Sequence, residues 1–346
     1  MAISIIDKEY ISKKIGVNLP LLQDSNIFIT GATGFFGKWL LETFLHFNNN
    51  LGLNTNICAL SRSPENLLKQ FPYYKSDKIT WLKGDIKSFE FPGGELDYII
   101  HAATDSDAKL NSESPLIMLD TINEGTRRVL EFAKSKPGLK SLLFTSSGAV
   151  YGKQPDTVSF IKESDSFYID LNNPGSAYAE GKRMAELYCS IYAKQYNIPI
   201  VIARCFAFVG PHLPLDKHYA IGNFINDGLN GRDITISGDG TPQRSYMYAA
   251  DLVLWLLTLL LKGNSGDVYN VGSDMPISIY KLALKIAELF PGISINILNQ
   301  NRSTDRNQNY VPDVSKFKNK FELNQNIDLE IAIQRTIEYY KNNKKG

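Results

Sequence analysis

Asn26-Ile-Phe-Ile-Thr-Gly31-Ala-Thr-Gly34-Phe-Phe-Gly37 decides how this chain folds. Residues 26–30 form a short apolar run that reads as a strand, and the pattern over 35–47 reads as a helix. Three glycines spaced G-x-x-G-x-x-G join them. Where a strand turns directly into a helix, open backbone N–H groups face outward at the helix N-terminus. A pyrophosphate reaches them only if no Cβ blocks its approach or the tight turn. Glycines also punctuate ordinary turns, but this strand-to-helix position predicts dinucleotide binding. Gly31, Thr33, Gly34, Phe35, Phe36 and Gly37 are the expected contacts.

Outward from this unit the alternation continues. Residues 56–60, 79–82, 97–100 and 141–145 are further strand candidates, mostly apolar throughout, as strands covered on both faces of a parallel sheet are. Helical stretches separate several of them, the clearest over 116–134. This predicts an α/β fold, a Rossmann-type doubly wound parallel sheet. After residues 198–203 come loops such as Gly210-Pro-His-Leu-Pro214 and Ser237-Gly-Asp-Gly-Thr-Pro242. They predict a smaller C-terminal α/β lobe that binds substrate. The expected division is an N-terminal extension over 1–24, a dinucleotide-binding domain over 25–205 with a strand at 267–272 returning to it, and a mainly substrate-binding lobe over 206–346.

The bulk numbers narrow the function. With 37 basic and 36 acidic residues among 346, there is no cationic excess to neutralise a nucleic-acid backbone. The run over 252–261 is too short to cross a bilayer and reads as a buried helix. Cys58, Cys189 and Cys205 make neither a metal-ligand spacing nor a disulfide framework, and the first residues lack a signal-peptide core. A cytoplasmic enzyme without a metal or a membrane partner is expected.

At the end of the second strand a ribose-reading acid is missing. Ser61 and Arg62 stand there instead, and Arg62 tilts the expected cofactor from NAD towards NADP; a solvated loop arginine is the other reading. Asp85 and Ile86 follow the third strand, where an acid can accept the adenine amino group or simply cap a turn. Further on, Tyr178-Ala-Glu-Gly-Lys182 puts a phenol and an ammonium four apart on one helical face. A lone pair of this kind is usually surface decoration. Beside a cofactor turn, the cation and a positive nicotinamide ring would lower the phenol towards a working acid/base, and Ser147 could share the substrate hydroxyl.

The chain resembles the extended short-chain dehydrogenases/reductases of the NAD-dependent epimerase/dehydratase family. The matching pieces are Gly31 to Gly37, His101-Ala-Ala103, Asn123-Glu-Gly-Thr126, Ser146-Ser-Gly-Ala-Val-Tyr-Gly152, Tyr178-x-x-x-Lys182, Arg204-x-Phe-x-x-x-Gly-Pro211, Gly238-Asp-Gly-x-x-x-Arg244 and Tyr269-Asn-Val-Gly272. The resemblance implies redox chemistry on a nucleotide-diphosphate sugar. By position it implies Ser147, Tyr178 and Lys182 as catalytic residues. It also implies cofactor contacts at Ala102, Ala103, Thr104, Asn123, Thr145, Tyr178, Lys182 and Cys205, and substrate contacts at Ser147, Gly148, Tyr178, Ala207, Asn223, Arg244 and Arg302. A homodimer through the helix carrying Tyr178 and the one before it is implied as well.

Two departures matter. Dehydrating relatives carry Asp-Glu after the Ser/Thr, and decarboxylating ones a glutamate in that stretch; here Gly148-Ala149 stand instead. Ala207 replaces an asparagine that contacts substrate in many relatives. The expected function is therefore a 4-epimerase of nucleotide sugars, the alternative a 4-keto-sugar reductase using NADPH. A 4,6-dehydratase and a non-catalytic cofactor sensor rank below both, the last because Ser147, Tyr178 and Lys182 are intact.

Overall fold

The computed structural model describes residues 2–103, 108–217, 219–298 and 309–343. Six strands lead the order: β1 (Asn26–Thr30), β2 (Asn56–Ser61), β3 (Ile79–Lys83), β4 (Tyr98–His101), β5 (Ser141–Ser147) and β6 (Ile200–Cys205). Pieces of two or three residues follow, β7 (Phe208–Val209), β8 (Ile234–Ile236), β9 (Gln243–Arg244) and β10 (Met247–Tyr248), before β11 (Val268–Val271). The seven main strands pair in the order β11-β6-β5-β4-β1-β2-β3, and all pairs are parallel. The expected doubly wound sheet is therefore present, with β11 as one of its edge strands.

Helices before and between the strands are α1 (Ile5–Ile15), α2 (Phe35–Leu51), α3 (Pro64–Gln70), α4 (Ala108–Glu113), α5 (Pro115–Lys134) and α6 (Ala177–Tyr196). The C-terminal half adds α7 (Ala220–Leu229), α8 (Ala249–Lys262), α9 (Ile279–Ala287), α10 (Ser315–Phe321) and α11 (Leu329–Asn343). Alternation along β1 shows why the sheet needs two layers of helix. Ile27 and Ile29 enter the core shared with α2 and α8, while Phe28 between them meets Met118 and Phe132 of α5 and Ala185 of α6. From Ala249 to Leu260, α8 is buried at every residue. Among the described residues, no helix is long and apolar enough to cross a membrane.

The first residues are helical and belong to the main core. Ile11 and Ile15 of α1 pack into it. Tyr10 donates to Asp251 of α8, and the buried Asp7 carboxylate accepts from Tyr248 (2.8 Å) and pairs with Arg335 of α11. Burial raises the Asp7 carboxyl above its ordinary range despite these partners. Truncating fully buried Ile11 to Ala is expected to cost about 3 kcal/mol, with the protein still unfolding in one urea transition. A loss under about 0.5 kcal/mol would mean that α1 is detachable from the fold.

Candidate active site

Strand order reverses between β1 and β4, so the crevice beyond their carboxyl ends is where a ligand fits. Thr30, the last residue of β1, organises it. Its Oγ1 accepts the N–H groups of Ala102 and Ala103, each at 3.1 Å, and lies 2.8 Å from His101 Nδ1. With both lone pairs used, the Thr30 proton goes to Nδ1. His101 therefore carries its proton on Nε2, 3.1 Å from Thr126 Oγ1 on α5. Burial, helped by nearby Lys182, pulls this imidazole down to about 3, so it stays neutral.

The glycine turn runs against that strand end. Gly31 has φ 69°, and a Cβ there would stand 2.6 Å from the Ala102 carbonyl carbon and 2.8 Å from the Ala103 nitrogen. A Cβ on Gly37 would lie 2.5 Å from the Ala32 carbonyl carbon. These two glycines serve close backbone packing. Gly34 is extended at the N-terminus of α2 and supplies no side-chain cap. The first N–H groups of a 17-residue helix thus face the crevice, which suits a dinucleotide pyrophosphate.

The catalytic candidates meet where β5 ends beside α6. Ser147 is the last residue of β5, its Oγ accepting from Ala149 N–H at 3.2 Å. Tyr178 lies in the first turn of α6, its N–H held by Asn111 Oδ1 at 3.1 Å, and its side chain lines the same cavity as Ser147. One turn on, Lys182 is buried and donates to the Thr145 carbonyl at 2.8 Å. Burial pushes the Tyr178 phenol up to about 12 against a lowering influence of the Ser147 hydroxyl, and pulls the Lys182 ammonium down to about 8. Tyr219 and Cys205 add smaller upward pushes on Tyr178.

Behind these groups lies a second layer that the sequence did not single out. Arg183 donates to the Val150 carbonyl (2.6 Å) and to that of Phe167 (2.9 Å), tying α6 to the loop after Ser147. Glu186 accepts from Ser146 and takes a forked pair of bonds from Arg204 at 2.7 and 3.0 Å. Arg204, conspicuous in the motif, therefore anchors β6 and the β5 end to α6 and does not line the cavity described next.

A cavity of about 640 Å³ opens over this cluster. Of the expected residues, Gly31, Gly34, Phe35, Phe36, Ala102, Thr145, Ser147, Tyr178, Lys182, Cys205, Ala207 and Arg244 line it. Gly148 lies behind the wall, covered by Tyr310 and Phe206. Thr33, Ser61, Arg62, Asp85, Ile86, Asn123 and Asn223 are not in the lining. Arg62 is exposed at the end of β2, and Asp85 accepts from Lys87 N–H at 2.9 Å, the turn-capping role. Asn123 Oδ1 on α5 is buried and has no hydrogen-bond partner among the described residues. Thr104 and Arg302 lie outside the described residues. Lys217, Tyr219, Tyr246, Phe206 and Tyr310 also line the cavity and were not foreseen. Only Tyr310-Val-Pro-Asp313, an abrupt apolar turn after a polar tract, could have drawn attention to the last.

Comparison with known proteins agrees with this geometry. The family model described as NAD dependent epimerase/dehydratase family matches residues 27–272. UDP-glucuronic acid decarboxylase 6 of Arabidopsis thaliana is 30% identical over 302 residues, covering 86% of this chain and 83% of its own. The UDP-N-acetylglucosamine 4-epimerase of Methanobrevibacter ruminantium shares the fold with a TM-score of 0.80 at 23% identity, over 93% of this chain and 99% of its own. A UDP-glucuronic acid 4-epimerase from Bacillus cereus, solved in complex with NAD, matches with a TM-score of 0.75 at 21% identity, over 91% and 96%.

The turn carries a sharp prediction. Gly31→Ala adds strain at positive φ and a collision with Ala102, so NAD affinity measured by fluorescence titration falls at least about 100-fold while far-ultraviolet dichroism is kept. Unchanged affinity would place the dinucleotide elsewhere.

Proposed function

The chain belongs to the NAD dependent epimerase/dehydratase family, and on that footing we propose that it inverts a nucleotide-diphosphate sugar at C4. One observation carries the choice of reaction. Among the described residues lining the cavity there is no carboxylate: its polar side chains are hydroxyls (Ser147 and Tyr178 among them), the Cys205 thiol and cations (Lys182, Lys217, Arg244). Eliminating water across C5 and C6 needs a base for the C5 proton and an acid for the leaving hydroxyl. Gly148 and Ala149 provide neither. Moving a hydride out of C4 and back needs only one acid/base at the C4 oxygen.

Ser147 hydrogen-bonds the C4 hydroxyl and Tyr178 takes its proton as the C4–H bond breaks. The resulting 4-keto sugar turns over in the cavity, and Tyr178 returns the proton to oxygen as hydride comes back on the other face. When bound, oxidised NAD supplies the hydride acceptor and a positive charge that favours the Tyr178 phenolate. Lys182, fixed by the Thr145 carbonyl, is placed one turn from Tyr178 to hold the nicotinamide ribose. Arg244 and Lys217 face the same space with charge suited to a diphosphate.

The second reading, reduction of a 4-keto sugar by NADPH, is favoured by exposed Arg62, which stands where an acid would exclude a 2′-phosphate. Asp85, which follows β3, is engaged in its own turn. The cytoplasm is the proposed compartment. The proposed assembly is a homodimer. On α6, Met184, Leu187 and Ile191 are exposed in one stripe, and Leu116 and Ile117 are exposed on the neighbouring α5.

Proton NMR with UDP-, dTDP-, GDP- and CDP-hexoses and no added reductant is expected to reveal a C4 epimer. Product only from 4-keto sugars with NADPH would replace the epimerase by the reductase, and release of carbon dioxide from UDP-glucuronate would overturn both. Tyr178→Phe is expected to lower kcat by about 10³-fold with cofactor affinity kept; an active variant would remove Tyr178 from the chemistry. Light scattering should give twice the chain mass at micromolar protein, and a monomer there would remove the dimer.

A further inference from the structure

His212 holds a backbone conformation that side chains seldom take, one residue before the chain enters the cavity wall. Its φ is 68°, in the left-handed region, which a non-glycine residue keeps only where its surroundings over-determine it. Here two helices from opposite ends of the chain do so. Imidazole Nε2 lies 2.8 Å from Glu42 Oε1 on α2, and Nδ1 lies 2.9 Å from the Tyr339 hydroxyl on α11. The ring stands edge-on to Phe71 and Tyr339, with centroids 5.5 and 5.0 Å away.

The residues on either side of His212 are tied to the same two helices. Trp39 Nε1 on α2 donates to the Pro211 carbonyl at 2.8 Å, and the Tyr340 hydroxyl on α11 donates to the Leu213 carbonyl. On its other side the loop rests against α7, where a Cβ on Gly222 would stand 3.1 Å from the Pro214 carbonyl oxygen. Leu213 and Pro214, and Lys217 a few residues on, line the cavity, while Trp39, Glu42, His212, Tyr339 and Tyr340 do not. One wall of the cavity thus takes its position from groups behind it. A loop held less firmly would sample other positions, and a ligand that needs one of them loses affinity in proportion to the fraction in place.

We propose that His212 is a positioning residue for the nucleotide-diphosphate substrate. Clamped between Glu42 and Tyr339, it holds Leu213, Pro214 and Lys217 in their binding arrangement, so that this wall is formed before the substrate enters. This rests on the reading of the cavity as a nucleotide-sugar site, and not on which reaction follows there.

The test is calorimetric titration of the NAD-saturated protein with UDP, dTDP, GDP and CDP, continued with the nucleotide that wild-type protein binds most tightly. Tyr339→Phe keeps the ring against His212 and removes one hydroxyl, and Tyr340→Phe does the same at Leu213. Each is expected to weaken that nucleotide about tenfold. NAD affinity should stay within about twofold, since no residue of α11 lines the cavity. In turnover KM rises by the same factor and kcat holds. His212→Gly separates the clamp from the strain: glycine takes φ 68° freely, yet this variant is expected to bind the nucleotide at least about tenfold more weakly. Unchanged nucleotide affinity in folded, NAD-binding Tyr339→Phe or His212→Gly protein overturns the proposal. So does a joint loss of nucleotide and NAD affinity, the mark of a purely structural role, or a fall in kcat at constant KM. Wild-type protein that binds none of the four nucleotides is a separate outcome, seen before any variant is made; it removes the nucleotide-sugar reading and this proposal with it.

Discussion

At the seam between β1 and β4 two backbones pass closer than side chains allow, and much of the site hangs from that contact. Gly31 lies against the Ala102 carbonyl, and Thr30 one residue earlier holds the Ala102 and Ala103 N–H groups. Thr30 at the end of β1 and Gly31 just after it thus fix the chain leaving β4 by opposite means, one by offering an oxygen and one by lacking a Cβ. The chain reverses into α2 at this seam, so the helix N-terminus points along the crevice and not into the sheet. His101 extends the tie to Thr126 on α5 with a single proton orientation. A buried neutral imidazole suits that task, because it both accepts and donates without carrying charge next to Lys182.

The lobe that covers the crevice is tied down by another buried polar cluster. Glu42 on α2 accepts from the Ile3 N–H (2.6 Å) and the Tyr74 hydroxyl (2.9 Å), and lies 2.8 Å from His212 Nε2. His212 Nδ1 faces the Tyr339 hydroxyl at 2.9 Å. Burial lowers the His212 imidazole, so a neutral ring donating to Glu42 and accepting from Tyr339 satisfies both neighbours. His212 sits at φ 68° in the loop whose next residues, Leu213 and Pro214, line the cavity. Residues of the N-terminal segment, the first helix of the sheet, the covering loop and the last helix therefore converge on one carboxylate. Breaking such a cluster by removing one member leaves the others buried and unpaired, which costs more than any single bond contributes.

How much of this could be read from the chain follows from which constraints leave a local trace. Strands buried on both faces must be apolar at every position, so β1, β2 and β5 are visible as short runs. A turn that meets a phosphate leaves glycines, and a helix that carries a phenol and an ammonium on one face leaves a spacing of four. Long-range partners leave no such trace. Arg204 stands out beside Phe206 and Gly210, but nothing near it in sequence reveals that Glu186 holds it. Asn223 and Asn123 were expected at ligands and stand outside the cavity lining, since motif position fixes a place on a helix and not the space in front of it. Tyr310 was invisible for the same reason: its neighbours Ser147, Gly148 and Phe206 are more than a hundred residues away, and only tertiary structure brings them together.

Hydride chemistry at C4, in a cavity whose described lining has no carboxylate, is the central claim. It is tested most directly by two parallel reactions, one on a nucleotide sugar carrying deuterium at C4 in ordinary water and one on the unlabelled sugar in deuterium oxide. Mass spectrometry and NMR should find the C4 label retained in the product and no solvent deuterium at any carbon. Solvent deuterium at C5, or loss of the label from C4 to solvent, would mean that a carbon-bound proton is removed by a base, and would contradict the account.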